Sequence, residues 1–163
     1  NDVVVDAGAG NDVITLASGS VVSDAQKLTT ITLGAGNDTI KFSNAINNIA
    51  DASKAEFEKG LVKVADFKVG EDTLNVRDGG LNYKAIGTTE LGNIAAAADL
   101  EAAVKAAAGQ VGASKTVVFG YGNNTYVLVN DSDAAFDAGD GLIELTGVKV
   151  GDLLASSTSF ISV

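Results

Sequence analysis

The sequence predicts a mainly β fold in which short parallel strands alternate with glycine-rich turns, with a few short helices inserted. Two observations predict it. A glycine-rich segment occurs at Gly8–Ile14 and again at Gly34–Ile40, and each copy ends in a β-branched pair that favours a strand. Aromatic residues make up only 6% of the chain. The core must therefore rest on Val, Ile, Leu and Ala, which suits thin, repetitive β-structure.

The residue types that are missing limit the chemistry of the chain. It contains no Cys and no His, which excludes zinc fingers, thiol catalysis and Ser-His-Asp catalysis. The formal net charge is −10, so we expect neither nucleic acid nor an anionic membrane as a partner. No apolar run reaches the length of a membrane span, so we expect no membrane insertion. Any bound metal must take oxygen ligands, and carboxylates and carbonyls suit calcium best.

The two glycine-rich segments match a known nine-residue repeat except at its first glycine, which is Ala7 in one copy and Leu33 in the other. Its pattern, G-G-x-G-x-D-x-U-x, belongs to calcium-binding parallel β-helices. Asn1–Val4 looks like the end of an earlier copy. Asp12 and Asp38 lie 26 positions apart, which is more than two such repeats require. The excess fits an insertion in the opposite turn, residues 17–27, which lacks the motif and is expected to bind nothing.

These segments resemble the β-roll of RTX (repeats-in-toxin) proteins, and the resemblance predicts a parallel β-roll here. It implies that each copy forms a tight turn followed by a short strand, and that two turns stacked on the same edge share one Ca²⁺. Backbone carbonyls of the turn and the Asp at its sixth position would bind the ion. The implied ligands are at Gly8, Gly10, Asp12, Leu33, Ala35 and Asp38, with Gly34 and Gly36 in the same turns. Asp2 and Asp6 are expected to belong to a further site completed by repeats upstream.

The middle of the chain predicts a helix and then a strand–turn–strand segment. Residues 45–60 predict the helix, because small and apolar residues recur on one face. Val62–Phe67 predicts a strand, and Gly70–Val76 a turn with a second strand. This phrase resembles the one that closes many RTX rolls. Asp72 in its turn is a candidate calcium ligand, although a plain turn before a strand is the favoured interpretation.

The second half predicts one more helix and a set of strands covered on both faces. The helix spans residues 95–108, with Asp99 as its cap and Gly109 at its end. Three strands are predicted after it, at Lys115–Phe119, Thr125–Asn130 and Leu142–Thr146. Gly122–Asn124 is a hairpin turn signal between the first two. Apolar residues occupy both faces of the second strand, which is typical of strands buried on both sides.

An acidic loop lies before the last predicted strand. Its carboxylates belong to Asp131, Asp133, Asp137 and Asp140. A solvated loop is the favoured interpretation, because Asp is common in turns. A second calcium site is the alternative.

The C-terminal region resembles the end of RTX proteins exported by type I secretion. The resemblance lies in Val118–Asp131 and Gly141–Val148, and Ser156–Val163 is small, hydroxylic and apolar, as uncleaved export signals are. Residues 1–80 are expected to form the roll with its inserted helix, and residues 81–163 a β-rich cap and secretion-signal region, joined in one structural unit. The chain starts without Met and without a signal peptide, which indicates a piece of a longer protein.

The resemblance implies a calcium-binding structural module at the C-terminal end of a secreted bacterial surface protein, either a surface-layer subunit or an adhesin. Its partners would be calcium ions, a type I exporter and, in a lattice, further copies of itself. The alternative is the export tail of a secreted RTX protease or lipase whose catalytic domain lies upstream. We expect no enzymatic activity from this chain, because turns explain most of its carboxylates and nothing else resembles an active site.

Overall fold

The structure is a computed structural model that describes residues 2–16, 28–42, 60–76, 82–83, 86–113, 115–131, 133–137, 139–156 and 158–162. The predicted opposite turn at 17–27 and nearly all of the predicted helix at 45–60 lie outside the described residues. The strands are β1 (Val3–Asp6), β2 (Val13–Leu16), β3 (Thr29–Thr32), β4 (Thr39–Phe42), β5 (Val62–Val64), β6 (Thr73–Val76), β7 (Asn82–Tyr83), β8 (Lys115–Tyr121), β9 (Asn124–Val129), β10 (Gly141–Leu145) and β11 (Phe160–Ser162). The helices are α1 (Thr88–Ala95), α2 (Leu100–Val111) and α3 (Val150–Ala155).

Within the described ranges the strands form two sheets. The first has the order β1-β3-β5-β10-β9-β8-β7 and the second the order β11-β6-β4-β2. From β1 to β6 successive strands alternate between the two sheets, and their neighbours within each sheet run parallel. The predicted mainly β class with parallel strands is therefore confirmed.

Three turns carry the chain from the first sheet to the second. They are the first turn (residues 7–12), the second turn (33–38) and the third turn (65–72). The strands after them pair in register, with Val13 opposite Thr39 and Thr39 opposite Thr73. The turns consequently lie one above another, and we call them the turn stack.

The main core lies between the two sheets. Ile31 and Val64 of the first sheet and Ile40 and Leu74 of the second are fully buried in one cluster. Along β3 and β4 alternate residues are buried, as expected for strands with one face on a core. Burying a side chain of this size contributes roughly 1.5–3 kcal/mol. This apolar interior positions the turns at its edge.

The second half extends the first sheet and covers it with helices. Strands β8, β9 and β10 pair antiparallel, and β10 pairs parallel with β5. Val118 and Val127 contribute to the main core, whereas Phe119 and Leu128 belong to a second core with the helices α1 and α2. The prediction that these strands are buried on both faces is confirmed.

The helices differ from the predicted one. The predicted helix over 95–108 is confirmed from Leu100 onward with Asp99 as its cap, but its bounds are wrong, because α1 ends at Ala95 and α2 spans Leu100–Val111. The cause is the Asp99 cap, whose carboxylate accepts a hydrogen bond from Ala102 N at 2.9 Å. A cap residue adopts extended backbone angles, so the chain cannot continue as a helix through it. Gly109 does not end α2; Gly112 does, with φ +74°. No helix in the described part of the chain is long and apolar enough to cross a membrane.

The C-terminal strand completes the second sheet. Strand β11 pairs parallel with β6, and three hydrogen bonds precede it. Leu74 N donates to Ser159 O at 2.7 Å, Gly70 N donates to Ser159 Oγ at 2.7 Å, and the Thr73 hydroxyl donates to Thr158 O at 3.1 Å. A segment predicted only as an export signal thus packs on the third turn.

Candidate metal centre

Glycine makes the close stacking of the first two turns possible. Gly34 and Gly36 have φ of +92° and +141°, angles that residues with a Cβ rarely adopt. A Cβ at Gly34 would overlap Gly8 O, and one at Gly36 would overlap Gly10 O. The backbones of the two turns are therefore in direct contact.

Backbone hydrogen bonds join these two turns. Ala35 N donates to Gly8 O at 2.9 Å, and Gly10 N donates to Ala35 O at 2.8 Å. Asn37 N donates to the Asn11 side-chain oxygen at 2.9 Å. A carbonyl oxygen has two lone pairs, so Gly8 O and Ala35 O each keep one for another partner.

A ladder of aspartates runs along the turn stack. Asp12 N donates to Asp38 Oδ1 at 2.8 Å, and Asp38 N donates to Asp72 Oδ1 at 3.1 Å. The second oxygens of Asp12 and Asp38 are buried and have no hydrogen-bond partner. The Asp38 residue is only 1% exposed. Leaving a buried polar atom unpartnered costs about 1–3 kcal/mol, and more for a charged group. Two such oxygens in one pair of stacked turns fit a cation.

Another buried carboxylate, that of Glu144, has hydrogen-bond partners for both of its oxygens. Glu144 on β10 is 3% exposed. Its oxygens accept hydrogen bonds from Asn124 Nδ2 at 3.1 Å and Tyr126 OH at 3.0 Å, and Lys63 Nζ lies 3.7 Å away. The difference between Glu144 and Asp38 makes the ladder, rather than burial as such, the candidate site.

The structure brings most of the predicted ligands together. The first and second turns contain Gly8, Gly10, Asp12, Leu33, Gly34, Ala35, Gly36 and Asp38. Gly8 O and Ala35 O accept hydrogen bonds from backbone N–H groups. Gly34 O differs from them because its donor is a charged side chain, Lys68 Nζ at 3.0 Å. The implied set thus has its residues in two directly stacked turns.

Three predicted residues lie apart from this pair of turns. Asp2 is exposed and precedes β1, at the end of that strand opposite the first turn. Asp6 is exposed at the other end of β1. Asp72 lies in the third turn, and both of its oxygens accept backbone hydrogen bonds, from Asp38 N and from Lys68 N at 2.8 Å. None of the three joins the unpartnered oxygens of the ladder.

Sequence reasoning missed Asp66. Its two oxygens accept hydrogen bonds from Leu33 N at 2.7 Å and Gly34 N at 2.9 Å. Asp66, which lies in the third turn, therefore holds the first two residues of the second turn in place. No local pattern in the sequence signals this contact, because it depends on the pairing of β5 with β3.

The acidic loop gathers three carboxylates. Oxygens of Asp131, Asp137 and Asp140 lie within 4.8 Å of one another. Asp140 is 1% exposed and accepts hydrogen bonds from Asp131 N at 2.8 Å and Asp137 N at 2.9 Å. The favoured prediction of a solvated loop is therefore wrong for Asp140, although Asp133 is exposed.

Electrostatics in this loop favour a neutral or cation-bound state. Burial raises the pKa of the Asp140 carboxyl from 3.8 to about 7. The two backbone N–H donors lower this pKa, and the neighbouring carboxylates of Asp137 and Asp131 raise it further. Carboxylate oxygens this close repel one another unless a proton or a cation lies between them.

No protein-family model matches the chain, and no curated protein matches it significantly.

Proposed function

We propose that this chain is a calcium-binding structural module, a parallel β-roll that one calcium ion stiffens between its first and second turns. The observation that carries the proposal is the pair of buried, unpartnered carboxylate oxygens on Asp12 and Asp38. In this role the chain supplies shape and metal-dependent stability, and it performs no catalysis.

The donor chemistry supports calcium over other ions. The ladder offers carboxylate oxygens with a combined charge of −2, and the stacked turns offer backbone carbonyls. Calcium takes six to eight hard oxygen ligands in a flexible shell, whereas magnesium demands a tighter octahedral one and retains its waters. A carboxylate pair on irregular turn backbone suits the first of these better.

We propose further that the module belongs to a secreted bacterial surface protein. The resemblance of the turns and of strands β8 to β10 to RTX proteins supports this, together with the acidic composition. Export in an extended form through a type I exporter would leave the turns unfolded until they meet extracellular calcium. The assembled surface layer would then use the folded module as a rigid element.

Calorimetric titration with calcium tests the metal site. The wild-type chain and the variants Asp12→Asn and Asp38→Asn are compared. Each variant removes the charge of one carboxylate that has an unpartnered oxygen, and in Asp38→Asn the amide oxygen can still accept from Asp12 N. We expect each to lose one binding event. Asp152→Asn, an exposed position on α3, controls for the charge change. An unaltered stoichiometry in both ladder variants would refute the site.

The acidic loop must be separated from the ladder in that titration. The same comparison is therefore repeated in an Asp140→Asn background, which disables the carboxylate group of the loop. If the ladder variants still remove one event there, the event belongs to the turn stack. Loss only through Asp140→Asn would move the calcium to the loop and contradict the assignment.

A further inference from the structure

The two spaces between the three stacked turns differ in their chemistry. We call the space between the first and second turns the upper gap, and the space between the second and third turns the lower gap. On the two turns that border the upper gap, Asp12 and Asp38 each keep a buried oxygen without a partner. In the lower gap, both oxygens of Asp72 and both oxygens of Asp66 accept backbone hydrogen bonds. Those two carboxylates therefore need no additional cation.

The third turn places a positive charge at the solvent-exposed edge of the lower gap, where the Lys68 side chain is 46% exposed. Lys68 Nζ donates to Gly34 O at 3.0 Å, and it lies 3.6 Å from Glu71 Oε2. Its backbone N–H donates to Asp72 Oδ2 at 2.8 Å. One residue thus supplies both an ammonium group to a carbonyl of the second turn and a backbone donor to the ladder. The first and second turns contain no Lys or Arg.

The length of the third turn explains how Lys68 reaches this position. The first and second turns have six residues between their strands, residues 7–12 and 33–38, whereas the third has eight, residues 65–72. The longer turn lacks the tight glycine pattern of the other two, and its only positive-φ glycine is Gly70. It can therefore carry a long side chain beneath the second turn.

We propose that Lys68 is a built-in cation that takes the place of a metal ion in the lower gap. This inference rests on the proposed function, because it confines the calcium of the turn stack to the upper gap. An ammonium group is a compact point charge with three donors, and it neutralises the carbonyl and carboxylate oxygens around it. It also repels a divalent ion from the same place. The lower gap would then hold its structure in the absence of metal, and the upper gap would not.

Amide hydrogen exchange measured by NMR, with chelator and with calcium, tests this division. In the wild-type chain with chelator, the amides of Leu33, Gly34 and Asp38, which donate to carboxylates of the third turn, should stay protected. Lys68→Gln should speed exchange at Gly34 about fivefold in chelator, as loss of about 1 kcal/mol would. Added calcium should restore part of that protection, because a metal can now enter. Lys68→Arg should behave like the wild type.

Two controls make the outcome decisive. Lys105→Gln removes an exposed lysine of α2 that pairs with Glu101, and it should change none of these amides. Protection at Gly34 that is identical in Lys68→Gln and the wild type would overturn the proposal, as would rapid exchange at Gly34 in the wild type with chelator. If calcium fails to protect Asp12 N in the wild type, the proposed calcium function is wrong. The exchange rate at Gly34 in Lys68→Gln with chelator would still test the Lys68 proposal, because that measurement involves no calcium.

Discussion

At the scale of single residues, glycine has two separate roles in the turn stack. Gly8 and Gly34 have nearly the same φ, +90° and +92°. Space around them differs, because a Cβ at Gly8 would meet nothing within 4 Å, whereas one at Gly34 would overlap Gly8 O. Gly8 is required only for its positive φ, whereas Gly34 is also required because the backbone of the first turn lies against it.

This pair gives a matched test of the stacking. Gly8→Ala should lower the free energy of unfolding by about 1–3 kcal/mol, the cost of a strained backbone angle. Gly34→Ala should cost clearly more, because the first turn must also move away. Urea unfolding of both variants measures the difference. Equal losses would show that the two turns do not touch as described.

Asp140 is the residue at which pH should act. Its pKa is about 7 in the folded chain and near 3.8 when unfolded, so between these values the folded state binds the proton more tightly. The stabilisation is complete below pH 3.8 and is lost as the pH rises through 7. We expect the free energy of unfolding in chelator to fall from pH 5 to pH 8, by up to about 2.5 kcal/mol.

Asp140→Asn isolates this effect from the other carboxylates. The variant should show a much flatter stability profile between pH 5 and pH 8, whereas Asp133→Asn should follow the wild type. Denaturant unfolding at each pH provides the measurement. A wild-type slope that Asp140→Asn leaves intact would assign the dependence to other groups.

At the scale of elements, the sequence predicted best where a local pattern determines the structure. The Asp99 cap, the hairpin at Gly122 and the strands after the glycine-rich turns depend on neighbouring residues. Helix α1 was missed and the start of α2 was placed too early, because the alanine-rich segment before Asp99 also favours a helix. Strand β11 was also missed, because its partner β6 lies far away in the sequence.

In the candidate site too, the sequence predicted the residues of a local motif and missed the contacts between distant residues. The repeat motif predicted the residues of the upper gap, because the motif itself encodes the turn. The contact of Lys68 with Gly34 O and that of Asp66 with the second turn join residues more than 30 positions apart. Only the register of β3 with β5 brings these residues together, and no local pattern reports it.

The last strand should contribute measurably to stability. Ser159→Ala removes the acceptor of Gly70 N, and we expect a loss of about 1 kcal/mol. Thr158→Ala is the matched control, because its exposed side chain can be shortened while its backbone carbonyl still accepts from Thr73. Thermal unfolding of the two variants gives the comparison. Equal melting temperatures would mean that the Ser159 hydroxyl does not hold the third turn.

At the scale of the whole molecule, metal binding and folding should be coupled. A ligand that binds only the folded state stabilises it by about 2.7 kcal/mol at a concentration 100 times its Kd. Such a gain is a large share of the 5–15 kcal/mol typical of a domain. We expect chelation to lower the melting temperature, calcium to restore it, and magnesium to restore it poorly. Coincident melting curves with and without chelator would exclude a stabilising metal.

The two ends of the turn stack are unlike each other. At the first turn, the edges of β1 and β2 have no neighbouring strand in the described part of the protein, and Val3, Val4 and Val13 are 39%, 75% and 61% exposed. At the third turn, β10 extends one sheet and Ser159 binds the turn itself.

Exposed parallel edge strands are templates on which another strand can add. Within the described residues the two sheets also end at β7 and β11, but these edge strands are only two and three residues long, which makes them poor templates. An added strand should therefore pair with β1 or β2. Val4→Lys, which puts a charge on that edge, should lower any self-association that sedimentation detects at rising concentration.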